Sequence, residues 1–369
     1  MGRSFYEWLW PLVRWTPAEL GHAFGLLALR APLRLGGDAV DDPFEWRGHR
    51  LRNRIGIAAG LDKDAVALRG LAGLGVGFIE VGTVLARPHR GNEERPRMRR
   101  LERERALWNR LGFPSAGAAR VRDRIARTPL PDVALAMNVA PHPLTVRSAE
   151  HEPGFAARAR AELFETARLL HPWAACFVLN LSSPNTPGLR RQLEGAGFAE
   201  ELVAPLAAEL ARLDASARRL APTLLLVKLP PEDADGKRLD VDGLARLVRP
   251  LLAPGSCDGF IASNTSLALA RTLVPRPEGE PPGGISGAPL RPLALEVMRA
   301  LAELAPRHLR VGVGGVMEPG DAVALAAAGA HLVELYTGLV YRGPRFAGLC
   351  AEALRRGRSN GDGVSRTPA

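Results

Sequence analysis

The sequence predicts an α/β fold, a (β/α)8 TIM barrel with an N-terminal helical extension. Three observations carry this. First, eight short apolar runs recur from residue 55 onward, at 55–60, 77–84, 134–139, 176–182, 223–229, 259–265, 309–315 and 332–338. They are continuous rather than alternating, which marks strands buried on both faces, as in a parallel sheet. Second, helix-like stretches separate them, among them 153–170, 200–220, 289–305 and 319–328. Several carry proline early, where it suits a first helical turn. Third, every run ends in a polar, cationic or glycine group. Eight strand–helix units in about 300 residues is the count of a closed barrel. A doubly wound sheet is the alternative, and the even spacing favours closure.

Residues 1–40 precede the barrel and are rich in aromatics: Phe5, Tyr6, Trp8, Trp10, Trp15 and Phe24. Arg14, Arg30 and Arg34 surround the apolar run 23–29. This pattern fits an interfacial amphipathic helix pair or a helical pair packed on the main domain, and both readings stay open. No run of eighteen apolar residues exists, so no transmembrane helix is expected, and no cleavage site follows to suggest a signal peptide. Residues 41–356 form the barrel domain, with 41–53 as a short hairpin over its bottom. The long connections 85–118 and 266–288 are candidate lids. The Gly/Ser/Asn-rich segment 357–369 is expected to be disordered.

The chain has 369 residues and a formal charge of +10, from 49 Lys and Arg against 39 Asp and Glu. Such a balance favours anionic partners. Few of the basic residues are Lys and the Arg are scattered, so a general use of Arg explains most of the charge. Cys176, Cys257 and Cys350 are far apart, without metal or redox spacing. Neither a disulfide framework nor a metal site is expected.

The strand ends carry the chemistry. Strand one delivers Ala58, Ala59, Gly60, Asp62 and Lys63; strand two, Gly82 and Thr83; strand three, Asn138; and strand four, Asn180, Ser183 and Asn185. Strand five delivers Lys228, and strand six Ser263, Asn264 and Thr265. Strand seven gives Gly312-Val313-Gly314-Gly315, and strand eight Tyr336-Thr337-Gly338. Two lysines and four asparagines at one end of one barrel make a convergent polar site. The glycines after strands seven and eight, with Gly284-Ile285-Ser286-Gly287, suit a phosphate cradle. The string Asn180-Leu181-Ser182-Ser183-Pro184-Asn185-Thr186-Pro187-Gly188-Leu189-Arg190 reads alone as either a capped turn or a reactive loop.

Ordered strings then bring a resemblance. Ala58-Ala59-Gly60-Leu61-Asp62-Lys63, Glu80-Val81-Gly82-Thr83-Val84, Asn109-Arg110-Leu111-Gly112-Phe113 and the Asn180 string occur in register. Val227-Lys228, Ser263-Asn264-Thr265, the 283–287 and 312–315 glycines and Leu335-Tyr336-Thr337 follow. Together they resemble dihydroorotate dehydrogenase over residues 17–350. Ser at 183, where soluble relatives use Cys, and the helical extension resemble class 2, the quinone-dependent, membrane-associated enzymes. The resemblance implies oxidation of (S)-dihydroorotate to orotate in pyrimidine biosynthesis, with FMN as hydride acceptor and a membrane quinone as final acceptor. It makes Ser183 the base. It assigns Lys63, Asn109, Leu111, Gly112, Phe113, Asn180, Asn185, Asn264 and Thr265 to substrate. Ala58, Ala59, Gly60, Thr83, Asn138, Asn180, Lys228, Ser263, Gly287, Gly315, Tyr336 and Thr337 fall to FMN, and His22 and Arg100 to a quinone tunnel. It implies a peripheral protein on the cytoplasmic side of a bacterial inner membrane, a monomer in preference to an oligomer, with no nucleic-acid partner. Segment 185–195, with Arg190 and Arg191, is the expected lid.

Four places depart from the family pattern: Pro114, the run Val139-Ala140-Pro141-His142-Pro143, Arg99, and Pro230-Pro231-Glu232. A diverged member with reduced or no activity is therefore one alternative. A flavin barrel acting on RNA, like a dihydrouridine synthase, is another. Such enzymes carry a catalytic Cys in the active loop, and no Cys stands there.

Overall fold

A computed structural model describes residues 5–30, 39–129, 133–149, 154–195, 197–275 and 283–359. Eight parallel strands close a barrel: Ile55–Ile57, Phe78–Val84, Ala134–Val139, Cys176–Leu179, Leu224–Leu229, Gly259–Ala262, Leu309–Val313 and Leu332–Leu335. Each pairs with its neighbours in chain order, and the eighth and first complete the ring. Every expected strand is present, most with polar or glycine ends trimmed, because those residues leave the ladder to form loops.

The period-two alternation of a strand sorts each side chain inward or outward. Outward residues such as Ile79, Val81, Phe177, Leu225 and Val333 pack under the surrounding helices. Inward residues such as Phe78, Ala136, Val178, Leu226 and Leu332 fill the lower barrel. The same alternation turns Glu80, Asn138, Asn180, Lys228 and Glu334 into the upper interior, all buried.

The hairpin Phe44–Trp46 and His49–Leu51 lies where 41–53 predicts it, and its aromatics close an apolar cavity at the barrel bottom. The long connections are not plain lids. They contribute Met98–Leu101, Ala106–Asn109 and Gly284–Gly287, an antiparallel three-stranded sheet over the barrel mouth.

The extension forms helices Phe5–Val13 and Ala18–Arg30. Its second helix is tied to the cap: Glu19 accepts from Arg95 Nη1 (2.8 Å), Arg97 N (2.8 Å) and Arg97 Nη2 (2.9 Å). It also approaches helix Leu68–Ala72 so closely that a Cβ on Gly70 would meet Leu29 O at 2.0 Å. Yet Trp15 stays 79% exposed and Phe24 61%, with Leu20 and Leu27 also outward. Leu20, Phe24 and Leu27 stand at helical spacing on one face. The extension therefore packs on the domain and still presents an apolar stripe. Helix Phe346–Ser359 carries three residues of segment 357–369, and residues 360–369 lie outside the described ones.

Candidate active site

A cleft of about 1,060 Å³, open mouth included, lies between the strand ends and the cap sheet. Of the sequence-predicted residues, it is lined by Ala58, Ala59, Gly60, Lys63, Thr83, Asn109, Leu111, Gly112, Phe113, Asn180, Ser183, Asn185, Lys228, Ser263, Asn264, Thr265, Gly287, Gly315, Tyr336 and Thr337. Asn138 lies behind this wall. It accepts from Thr83 Oγ1 (2.6 Å) and Asn180 Nδ2 (3.3 Å) and donates to Glu80 Oε1 (2.7 Å). His22 and Arg100 lie outside the cleft lining, at the extension. Arg100 donates to Thr16 O and sits 5.9 Å over the Trp10 ring. A Cβ on Gly21 would meet Arg100 Nη2 at 2.4 Å, so the helix gives way for the guanidinium. Burial, reinforced by the charge of Lys63, lowers His22 to about 4, which leaves it neutral at pH 7.

The cleft walls are amide-rich. Asn185 Nδ2 donates to Asn109 Oδ1 (2.8 Å), and Asn264 Nδ2 to Ser182 Oγ (2.9 Å). Ser183 is buried at the strand-four end, and its Oγ accepts from Asn185 N at 3.2 Å. An N–H aimed at that oxygen favours whatever negative charge it acquires. Lys63 lies half-buried and donates to Gly60 O at 2.6 Å. Burial lowers its pKa to about 8, against the pull of Asp64 and Asp62.

The floor holds residues that the sequence reading missed. Lys228 Nζ donates to Glu80 Oε2 at 2.8 Å and stands 3.9 Å from Glu334 Oε2. Glu80 also accepts from Ala59 N at 2.8 Å. Burial opposes both charges of the Lys228–Glu80 pair. Mutual attraction wins, so Glu80 is held below the ordinary carboxylate range and Lys228 above the ordinary lysine. A buried ammonium needs an anion, and here the protein supplies it. The available signal was a lone acid inside an apolar run, in Phe78-Ile79-Glu80-Val81 and again in Leu332-Val333-Glu334-Leu335. Met98, Leu107, Ser286, Leu290 and Val316 also line the cleft.

The expected lid is a short helix, Leu189–Glu194, and Arg190 is a strut within it. Its guanidinium donates to Ser182 O (2.9 Å), Asp233 O (3.2 Å) and Thr265 O (3.1 Å), and lies 3.7 Å from Glu232. It thus ties the strand-four, -five and -six loops together. Glu232, one of the departures, also accepts from Ser266 Oγ and Leu267 N. His142, another, caps helix Pro143–Ser148 and stacks edge-on with His89 at 5.0 Å.

Comparison with known proteins decides the family. A family model for dihydroorotate dehydrogenase matches residues 44–356. The chain belongs to the dihydroorotate dehydrogenase family. A dihydroorotate dehydrogenase (quinone) of Thermus thermophilus is 41% identical over 341 residues, covering 89% of each chain. The namesake of Rhodospirillum rubrum is 37% identical over 98% of this chain and 92% of its own. A crystal structure of the dihydroorotate dehydrogenase of Eimeria tenella matches at a TM-score of 0.76 and 28% identity, over 91% of this chain and 90% of that one. The RNA-directed alternative is not the family matched, and none of the three cysteines lines the cleft.

Membership in the dihydroorotate dehydrogenase family implies a flavin cofactor, and the cleft fits one on two counts. Ser263 Oγ is a buried polar atom with no hydrogen-bond partner among the described residues, which a ring bearing amide groups would satisfy. The cradle at the ends of strands seven and eight leaves no room for side chains. Gly315 has φ +77°, and a Cβ there would meet Arg291 Cβ at 2.3 Å; Gly287 has φ +91°, with Arg105 O at 2.4 Å. Gly315→Ala is expected to cost about 1–3 kcal/mol of stability through overpacking, read as a lowered urea midpoint. An unchanged midpoint would mean that the loop relaxes freely.

Proposed function

We propose that the cleft binds FMN and oxidises (S)-dihydroorotate to orotate in de novo pyrimidine synthesis, with a membrane quinone as final acceptor. The observation that carries this reading is a buried Ser183 facing an amide-lined cleft above a charged floor. FMN, when bound, supplies the acceptor for the hydride leaving substrate C6. Ser183 Oγ takes the proton from C5 as its own hydroxyl proton passes to solvent through the cleft, and the Asn185 N–H favours the negative charge on Oγ as that proton leaves. Asn109, Asn180, Asn185 and Asn264 pair with the substrate's amide edges, each offering donor and acceptor. Lys63 faces the substrate carboxylate. Lys228 would hold positive charge for the electron density that a bound flavin gains on reduction. Gly287, Gly315 and the Thr337 hydroxyl, which donates to Ser286 Oγ at 2.8 Å, form the phosphate cradle.

The visible spectrum before and after dihydroorotate tests this. A yellow protein that bleaches anaerobically supports it. A colourless protein, or a flavin that stays oxidised, overturns it. Because Lys63 loses its charge as pH rises through about 8, kcat/KM for the carboxylate substrate is expected to fall above that pH, about tenfold per unit. A flat profile from pH 7 to 10 would remove Lys63 from carboxylate binding.

The outward stripe Leu20, Phe24 and Leu27, with Trp15, supports peripheral contact with the bilayer. Among the described residues no helix is long and apolar enough to cross a membrane. His22, on this helix, and Arg100, on the cap strand Met98–Leu101, are the proposed quinone-side residues. The inner membrane's cytoplasmic face and a monomeric state complete the proposal.

A further inference from the structure

We propose that Glu334 is kept as a neutral carboxylic acid in the floor of the cleft. Glu80, Lys228 and Glu334 then form a triad with no net charge beneath the flavin. The flavin's place in this statement rests on the function proposed above.

The geometry asks for one proton. Two carboxyl groups flank a single ammonium, and both acids are essentially inaccessible to water. The distribution of partners is unequal. Glu80 has Lys228 at 2.8 Å and donors from Ala59 N and Asn138 Nδ2. Glu334 has Lys228 only at 3.9 Å, and neither of its oxygens has a hydrogen-bond partner among the described residues. Beneath it lies the bottom cavity, lined by apolar groups such as Phe78, Ala136, Val311 and Leu332. An ionised acid would face an apolar cavity on one side and a second carboxylate on the other, at a cost the distant ammonium does not offset. A neutral acid gains an O–H to donate, with Glu80 beside it. Burial and the charge of Glu80 both push Glu334 far above the ordinary carboxylate range. Of the other titratable groups nearby, Cys176 and Tyr336 stay neutral because burial raises both, Tyr336 to about 12, and His49, at the far wall of the bottom cavity, has its Nε2 on Pro222 O at 2.7 Å.

The consequence concerns charge. Were Glu334 ionised, the triad would carry a net negative charge at the place where the flavin's ring gains electron density. Glu334 lines the cleft as Lys228 does, and it acts as a positioning residue, setting the charge of the triad rather than carrying one.

Infrared spectroscopy of the holoenzyme at neutral pH tests this. The wild type is expected to show a protonated-carboxyl C=O band that Glu334→Gln, its near-isostere, loses completely. Superimposable spectra overturn the proposal. Should Glu334→Gln fail to fold, wild-type protein carrying glutamate labelled with 13C in its side-chain carboxyl serves instead. The band must then shift, and an unshifted or absent band overturns the assignment. A colourless protein that keeps the band sinks the flavin reading alone; a yellow protein without the band sinks the neutral acid alone.

Discussion

Ser183→Ala protein mixed anaerobically with dihydroorotate is expected to bleach its flavin about 10²–10⁴-fold more slowly than wild type, the usual contribution of a positioned base. The substitution removes one oxygen from a buried side chain that accepts from Asn185 N. The amide walls and the Lys228 floor stay intact, so the variant is expected to remain yellow with the same flavin content. That separation between retained cofactor and lost half-reaction is diagnostic. Ser183→Cys is expected to keep a measurable rate, because a thiol ionises more easily than a hydroxyl. A Ser183→Ala rate within tenfold of wild type would return Ser183 to the role of a turn cap.

Lys228→Met is expected to lower stability by about 3–5 kcal/mol at neutral pH, as when one partner of a buried ion pair is removed. Glu80 would lose the ammonium that now keeps it ionised. Its carboxyl would then shift from below its unfolded value to above it. Such a group binds more protons folded than unfolded, so its contribution is lost as pH rises. The deficit relative to wild type is therefore expected to shrink as pH falls toward the carboxylate range. Urea titrations at two pH values measure this. The double variant Lys228→Met, Glu80→Gln is expected to recover much of the loss, since no unpaired charge remains. A single variant as stable as wild type at pH 7 would contradict the ion pair's role.

Most of the barrel was legible because its strands are buried on both faces, and continuous runs such as Leu224–Leu229 have few other readings. The cleft residues were legible because each stands where such a run ends. The usage of lysine was a further signal: all but three of the 49 basic residues are Arg, and Lys63 and Lys228 are two of the three exceptions. What stayed hidden was non-local. Ala106–Asn109 pairs with Gly284–Gly287 across more than half the chain's later length, and nothing in either segment names its partner. So two connections read as lids are in fact one cap. Glu80 and Glu334 were missed for a related reason. Each looks like an interruption of an apolar strand, and only closure of the barrel brings Lys228 between them. Arg190 shows the same limit: its neighbours suggest a mobile loop, while its bonds to three loops fix it in place.

Helix Ala18–Arg30 has a second consequence through its neighbour in the cap. Met98–Leu101 is an edge strand of the three-stranded sheet, and this helix packs against it. A bare edge offers unpaired backbone groups to any other chain. The Glu19 clamp on Arg95 and Arg97 holds the helix at that edge. The extension thus also guards colloidal behaviour: a shortened protein beginning at the hairpin would expose a template for strand-to-strand association, whatever became of its contact with lipid.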